Sequence, residues 1–434
     1  MKLLTKVLDR PFYAKAWEWG RLITITGAAQ GLIQIIGFIS GILIIRLLPT
    51  QEYALYILAN TMLGTMTILA DAGISTGVMA QGGKVWQDKK KLGSILVTGF
   101  DLRRKFAFYC LLISIPILLY LLRHHGASWL MSILIIVSII PAFLTTLSGS
   151  LLEIAPKLKQ DIHALQKIQI GGNFGRLLLL TLTLFIFPWA FIAIFAAGLP
   201  QFWVNIKQRK LASGYVDWKQ IVSPVVRKEI LSFVKLIFPG AVYYCLSGQI
   251  TIWILSLFGT TTDVANMGAL GRLGMALSVF SMLFGILVLP RFARLPSVAT
   301  VLFSRFVIIN TVFIILSVLI IGVVWVFPSQ VLWILGKDYS YLQYELILSI
   351  IGSCTGLLAG ALFGLFTSRG WAIKPYISIP LSILSLVLGA VIFDVSNLRG
   401  VLMFNIFIIG FQALMNGSYC LLKIMFVEKK ISIN

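Results

Sequence analysis

The sequence predicts an all-α, polytopic membrane protein of about 12 transmembrane helices. Three observations carry that prediction. Hydrophobic residues make up 59% of the chain and charged residues 12%, against about 25% charged in a soluble domain. Apolar runs recur from end to end, each near the ~20 residues that a spanning helix needs. The 36 Lys and Arg fall almost entirely in alternate connections between those runs, as the positive-inside rule requires. In lipid, only helices and closed barrels satisfy their own backbone groups, and the alternating ten-residue signature of barrel strands is absent.

The N-terminus is basic, with Lys2, Lys6, Arg10, Lys15 and Arg21. The apolar run that follows is too long for a signal-peptide core and shows no clear cleavage site, so it is expected to be a retained first span. Spans are expected at 22–48, 53–79, 106–122, 128–152, 168–187, 189–206, 233–258, 265–290, 304–327, 342–366, 375–393 and 400–422. The two termini and the connections 80–105, 153–167, 207–231, 291–305 and 367–374 together hold 29 Lys and Arg. The opposite connections hold five: Arg46, Arg123, Arg272, Lys337 and Arg399. This asymmetry predicts both termini in the cytoplasm of a bacterial cell, with the chain in its cytoplasmic (inner) membrane. An even number of spans requires the same agreement of the termini.

The opposite connections are short, leaving no room for an external catalytic domain. The basic segments 80–105 and 207–231 are expected to be helical along the membrane surface. The second lies near the chain midpoint and predicts a division into an N-terminal six-helix bundle (1–206), a cytoplasmic linker (207–231) and a C-terminal six-helix bundle (232–434). At an offset of 211 residues Glu52 falls on Asp263 and Ala54 on Ala265. Both pairs lie in turns after the first span of a half, as a repeated six-span plan would place them.

A net charge of +21 raises the question of nucleic acid. Binders of that class concentrate Lys and Arg on a folded polar face, whereas here they sit in short connections suited to an anionic lipid leaflet. The lipid bilayer is therefore the expected partner, and nucleic acid is not. Cys110, Cys245, Cys354 and Cys420 all fall inside apolar runs without metal or disulfide spacing. The chain has no His-Glu-x-x-His, no P-loop and no Gly-x-Ser-x-Gly. Of the carboxylates at the bilayer edge, Asp71 and Glu153 are far apart in sequence. No enzyme, cofactor or metal site is expected.

Charges inside spans are the functional candidates, because each costs roughly 2.5–3.5 kcal/mol at a helix centre on insertion scales. Arg176 follows Gly171-Gly172-Asn173-Phe174-Gly175 in span five. It either reaches the headgroups or faces a cavity, where a guanidinium grips phosphate bidentately. Arg272 opens span eight, Arg46 ends span one before Leu47-Leu48-Pro49, and Lys235 precedes Phe238-Pro239-Gly240 in span seven. For each, interface anchoring and cavity contact both remain open. Asp71, in span two, is a candidate for proton coupling or for a structural ion pair. Gln30, Gln34, Asn60 and Gln249 either join helices or line a wet cavity. Gly356, Gly360 and Gly364 predict close helix packing in span ten.

The stretch Ile45-Arg46-Leu47-Leu48-Pro49-Thr50-Gln51-Glu52-Tyr53-Ala54-Leu55-Tyr56 resembles the end of the first span in polysaccharide (O-antigen) flippases. Those proteins are lipid-linked oligosaccharide translocases of the multidrug/oligosaccharidyl-lipid/polysaccharide exporter superfamily. Asp71-Ala72-Gly73-Ile74 is similar to their second-span Asp-x-Gly-apolar element, and Ala265 to Leu273 resembles their small-residue run ending in Arg-apolar. The Gly usual before the second-span Tyr is Ala54 here, and the Tyr usual before the span-eight run is absent. The resemblance implies two six-helix bundles around a central cavity, whose cations meet the pyrophosphate of a polyprenyl-diphosphate-linked oligosaccharide. Arg46, Asp71 and Arg272 carry over by position, and Arg176 and Lys235 join them from the reading of their spans. The implied function is flipping of that repeat unit for surface polysaccharide assembly by alternating access, with contacts to polymerase and assembly proteins. The alternatives are a cation-coupled multidrug exporter of the same superfamily and a membrane glycan polymerase.

Overall fold

The structure is a computed structural model. It describes the backbone of residues 11–431 except 294, 297, 370 and 372. Side chains are described over 27–426, except at those four positions and at 236, 237, 240, 241, 244, 246–248, 286, 287, 290 and 293. No strand occurs among the described residues. The helices are α1 (Pro11–Leu47), α2 (Thr50–Asp71), α3 (Ile74–Lys84), α4 (Lys89–His124), α5 (Trp129–Leu152), α6 (Ile154–Leu158), α7 (Ile162–Ile186), α8 (Ala190–Ser213) and α9 (Pro224–Phe258). They continue as α10 (Thr261–Ala276), α11 (Ser278–Leu287), α12 (Leu289–Ala293), α13 (Ala299–Val326), α14 (Pro328–Leu335), α15 (Gln343–Ser368), α16 (Pro375–Ile392) and α17 (Leu398–Ile431). The expected all-helical, polytopic fold is the one found.

Among the described residues, 11 helical stretches are long and apolar enough to cross a membrane. Part of the remaining expected span, 233–258, lies outside the described side chains; its apolar end is Gln249–Phe258. Helix ends follow local chemistry. At the start of α10 the Thr260 hydroxyl accepts from the Asp263 amide (3.1 Å) while the Asp263 carboxylate accepts from the Thr260 amide (3.2 Å), a reciprocal cap. Pro328 and Pro375 open α14 and α16, where a missing N–H costs nothing.

Three expectations need correction. The second span is not continuous to 79: it stops at Asp71, and Ala72 and Gly73 both take positive φ (49° and 86°) before α3 begins. Glycine adopts that conformation without strain, so Ala72-Gly73 is where the chain re-aims. The basic segment 80–105 is not a surface helix, because from Lys89 onward it is collinear with the third span in one 36-residue helix. Likewise 207–213 finishes α8 and 224–231 begins α9. Of the three span-ten glycines, a side chain at Gly360 would meet nothing within 4 Å, whereas one at Gly364 would press on Leu289 at 3.0 Å. Close packing therefore holds at Gly364 rather than along the whole triplet.

The chain divides into two compact units. The first comprises 1–43, 62–117 and 133–242; the second comprises 44–61, 118–132 and 243–434. In the first, Ile74, Val78, Leu92, Leu96, Leu151 and Ile230 form a buried apolar cluster. In the second, α15 packs along α17. Asn416 donates to the Ala359 carbonyl (3.2 Å) and Arg399 pairs with Glu345 (2.6 Å) across that contact. The outer faces remain apolar: Leu319, Trp325 and Val391 are among many large exposed side chains. Water would penalise such a surface, and lipid does not.

Candidate functional site

Two polar clusters lie within the apolar helices of the first unit, and they differ in kind. The first is built on Asp71, at the last residue of α2. Its carboxylate forms an ion pair with Arg103 and accepts from the Ser75 hydroxyl (2.7 Å) and the Ser75 amide (3.3 Å). Arg103 also donates to the Ser75 hydroxyl (2.5 Å), the Ser150 hydroxyl (2.7 Å) and the Leu147 carbonyl. The Arg103 side chain is 3% exposed. The Asp71 carboxylate and both terminal guanidinium nitrogens of Arg103 have partners within the protein, as a buried charge requires, although Arg103 Nε has none. Arg103 entered the sequence reading only as one of the basic residues of the 80–105 connection. Its position was recoverable: Leu92, Leu96 and Leu102 are all buried on α4, and Arg103 continues their face at helical spacing.

The second cluster surrounds Arg176. On α7, Gln169, Gly172, Asn173 and Arg176 recur at i, i+3, i+4 and i+7, which puts them on one face. On α8, Ala197, Pro200, Gln201 and Val204 do the same. Gly172 sets the spacing of the two helices, because a Cβ there would lie 2.2 Å from Val204 Cγ2. With Gln30 and Ile33 of α1 and with Glu153, these residues enclose a cavity of about 320 Å³.

Glu153 stands between α5 and α6. It accepts from Lys157 Nζ (2.8 Å), Gln169 Nε2 (2.8 Å) and Gln208 Nε2 (3.1 Å), and its side chain keeps 19% exposure. Along α7, Gln169 and Arg176 are seven residues apart, or about 10 Å at 1.5 Å per residue. The carboxylate therefore serves one end of the cavity and the guanidinium the other. Arg176 Nε is buried without a hydrogen-bond partner, and so is Gln208 Oε1. A buried donor left open in this way is costly, and a ligand acceptor would satisfy it.

The other sequence candidates fall elsewhere. Arg46, in the second unit, donates from Nε to the Ile334 carbonyl (2.8 Å) and from Nη2 to the Trp333 carbonyl (2.5 Å). Its guanidinium lies 5.0 Å from the Trp333 ring centroid, so Arg46 closes the C-terminal end of α14, whose last carbonyls lack helical partners. Arg272 is half-buried on α10, 3.5 Å from Met275 Sδ and beside the Tyr53 phenol. Lys235 is exposed on α9. Glu153, Gln169 and Gln201 were not among the sequence candidates. Only Glu153 carried a signal, as a carboxylate at the end of a span.

No protein-family model matches the chain, and no curated relative is similar to it. Solved structures are. An inward-facing multidrug resistance MATE family transporter of the MOP superfamily aligns with a TM-score of 0.63 at 14% identity, over 92% of this chain and 96% of that one. A MATE structure in complex with MaL6 aligns with a TM-score of 0.60 at 14% identity, over 94% and 96%. A MOP superfamily transporter from Pyrococcus furiosus aligns with a TM-score of 0.54 at 13% identity, over 94% and 95%. The chain thus has, over nearly its whole length, the multi-pass fold of the MATE-type transporters of the MOP superfamily.

Proposed function

We propose that this chain is a secondary exporter that carries a small organic solute across the membrane by alternating access, with the cavity between α1, α7 and α8 as a recognition site for the cargo. One observation carries the reading: Arg176 presents a buried, unpartnered donor beside a cavity of about 320 Å³. That volume is at the lower end of small-molecule sites, roughly 300–1,000 Å³, and far below what an oligosaccharide repeat unit needs. The similar solved structures include one described as multidrug resistance. The multidrug-type exporter, second in the sequence reading, is therefore the better supported.

The cavity carries both signs of charge. Arg176 suits an anionic or strongly accepting group on the cargo. Glu153, with its partial exposure, is the carboxylate placed to exchange a proton, whereas Asp71 is held by Arg103. The Pyrococcus furiosus neighbour is described as having a binding pocket of reverse polarity that suggests a different function, so pocket polarity is a feature on which cargo can turn in this fold. The basic connections would face the cytoplasm of a bacterial cell.

The lipid-linked oligosaccharide reading keeps one observation in its favour, the fit of an unpaired guanidinium to a diphosphate. One experiment separates the two. Purified protein in proteoliposomes is loaded with fluorescent organic anions and cations, and efflux is followed under a pH gradient. Gradient-driven efflux that Arg176→Gln abolishes supports the exporter. No efflux of any small solute, together with accumulation of a completed polyprenyl-diphosphate oligosaccharide in cells lacking the protein, supports the flippase instead.

A further inference from the structure

The first unit holds another cavity besides the Arg176 pocket. It is a groove of about 660 Å³ walled by α4, α5 and α8. Its interior is apolar, with Ile140, Leu144, Phe202 and Ile206 on the walls. Its polar wall groups are already engaged. The Thr145 hydroxyl donates to the Pro141 carbonyl (2.8 Å), the Ser148 hydroxyl to the Leu144 carbonyl (2.8 Å) and the Asn205 amide to the Thr145 carbonyl (2.7 Å). An ordered water needs two to four polar partners, and these walls offer few. The groove is a place for a hydrocarbon.

Its dimensions and its mouth say which one. From Ile140 to Leu152 the α5 wall runs twelve residues, about 18 Å, against about 15 Å for one leaflet of a ~30 Å hydrocarbon core. The mouth lies at the end where α5 and α8 meet the basic connections. There Arg209 stands with its guanidinium 5.7 Å from the Trp218 ring centroid. The indole N–H donates to the Ser213 hydroxyl (3.0 Å), and Phe100 meets the same ring edge to face at 6.0 Å. Trp at this depth marks the headgroup level. No carboxylate is among the described residues that line the groove, and Lys207 and Lys210 flank Arg209 on α8. Leu144, Phe202 and Ile206 are 44%, 47% and 66% exposed, so the groove opens sideways through an apolar wall, as an acyl chain needs to enter it.

We infer that this groove holds one acyl chain of an anionic phospholipid from the leaflet next to the basic connections, with the lipid phosphate bound to Arg209. The inference does not rest on the cargo reading, since none of these residues lines the Arg176 cavity. A guanidinium matches a phosphate bidentately, and an anionic headgroup adds attraction to Lys207 and Lys210 that a zwitterionic one lacks.

The test uses the full chain in detergent. Phosphatidylglycerol and phosphatidylcholine with the same acyl chains are added, and bound lipids are counted by native mass spectrometry. Wild type is expected to retain one phosphatidylglycerol with a preference of about fivefold or more, the factor one basic residue near a membrane surface supplies. Arg209→Gln should lower retention of phosphatidylglycerol to that of phosphatidylcholine. Leu144→Trp, which fills the groove, should remove the retained lipid altogether. Equal retention of the two headgroups by wild type, or an unchanged preference in Arg209→Gln, overturns the inference. Should Leu144→Trp lose its fold, chain-labelled phosphatidylglycerol in reconstituted wild type decides the matter. An immobilised spectral component that Arg209→Gln reduces supports the site, and its absence from wild type overturns it.

Discussion

The Asp71–Arg103 cluster and the Glu153–Arg176 cavity both place a carboxylate and a guanidinium among apolar helices of the same unit, yet they are built differently. Around Asp71 the carboxylate and both terminal nitrogens of Arg103 are paired within the protein, and Arg103 is sealed from solvent although its Nε has no partner. Around Glu153 the carboxylate is partly open, and Arg176 keeps a buried N–H with nothing to bond. A charge inside a membrane helix is thus not a functional mark in itself. An ion pair closed within the protein identifies a structural pair, and a guanidinium with no internal counter-charge beside a cavity identifies a place where something else binds.

The largest expected effect comes from opening the closed cluster. Arg103→Leu leaves Asp71 without its counter-charge, and breaking a buried pair costs about 3–5 kcal/mol. The expected outcome is a sharp drop in folded yield and in thermal unfolding temperature in detergent, with transport lost because the fold is lost. Replacing both partners, Asp71→Asn with Arg103→Leu, should recover much of that loss. If the single variant is as stable as wild type, the contrast between the clusters collapses. The complementary change is Arg176→Gln. A surplus donor contributes little to the fold, so its unfolding temperature should stay near that of wild type, within the ~0.5 kcal/mol usual for changes away from packed or paired sites. Transport should fall at least about tenfold, the equivalent of one lost charge-assisted hydrogen bond of roughly 1.5 kcal/mol. Loss of stability without loss of transport would reverse the assignment.

Arg46 sharpens the comparison from the other unit. The sequence placed it beside Arg176 and Arg272 as a phosphate contact, whereas its two hydrogen bonds go to the carbonyls of Trp333 and Ile334. Arg46→Ala should therefore behave like a weakened helix cap, lowering stability by about 1–2 kcal/mol and leaving cargo affinity unchanged. A large change in cargo affinity with an unaltered unfolding temperature would return Arg46 to the cargo path.

How far these assignments could be read from the chain follows from the range of the forces involved. Spans are local: a run of about 20 apolar residues crosses the membrane wherever it lies, and the expected 342–366 and 375–393 agree with helices Gln343–Ser368 and Pro375–Ile392. The break at Ala72-Gly73 was legible in principle, since the glycine stands in the Asp-x-Gly element, but an apolar average runs straight through it. Arg103 was hidden because Lys89 to Lys105 is dense in charge and reads as a connection, although the buried face of Leu92, Leu96 and Leu102 continues through it. The cavity was the least legible part. Its carboxylate takes bonds from Gln169 and Gln208, 16 and 55 residues away, and only the packing of α7 on α8 through Gly172 brings them together.

The smallest expected effect tests closure at a site that titrates. His125, beyond the end of α4, is 4% exposed. Its Nε2 lies 2.9 Å from the Ser256 carbonyl and its Nδ1 3.1 Å from the Thr261 hydroxyl. A carbonyl only accepts, so Nε2 carries the proton and Nδ1 accepts from Thr261. Both nitrogens of the neutral ring are then satisfied. Burial, with the neighbouring His124 ring, holds the imidazole below its ordinary value of 6.5. The folded state therefore binds fewer protons than the unfolded one just below that pH. The contribution of the neutral ring is complete above 6.5 and is lost as pH falls through the lowered value. Charging puts a second proton on Nδ1 and removes the bond it accepts. The loss should therefore amount to about 1 kcal/mol, the net worth of one hydrogen bond. Unfolding temperature against pH, measured for wild type and for His125→Gln, checks this. The variant should show a flatter acid limb. An identical acid limb in the two proteins would mean that the closed ring at His125 costs nothing to charge, and that closure alone does not separate structural from functional polar groups in this fold.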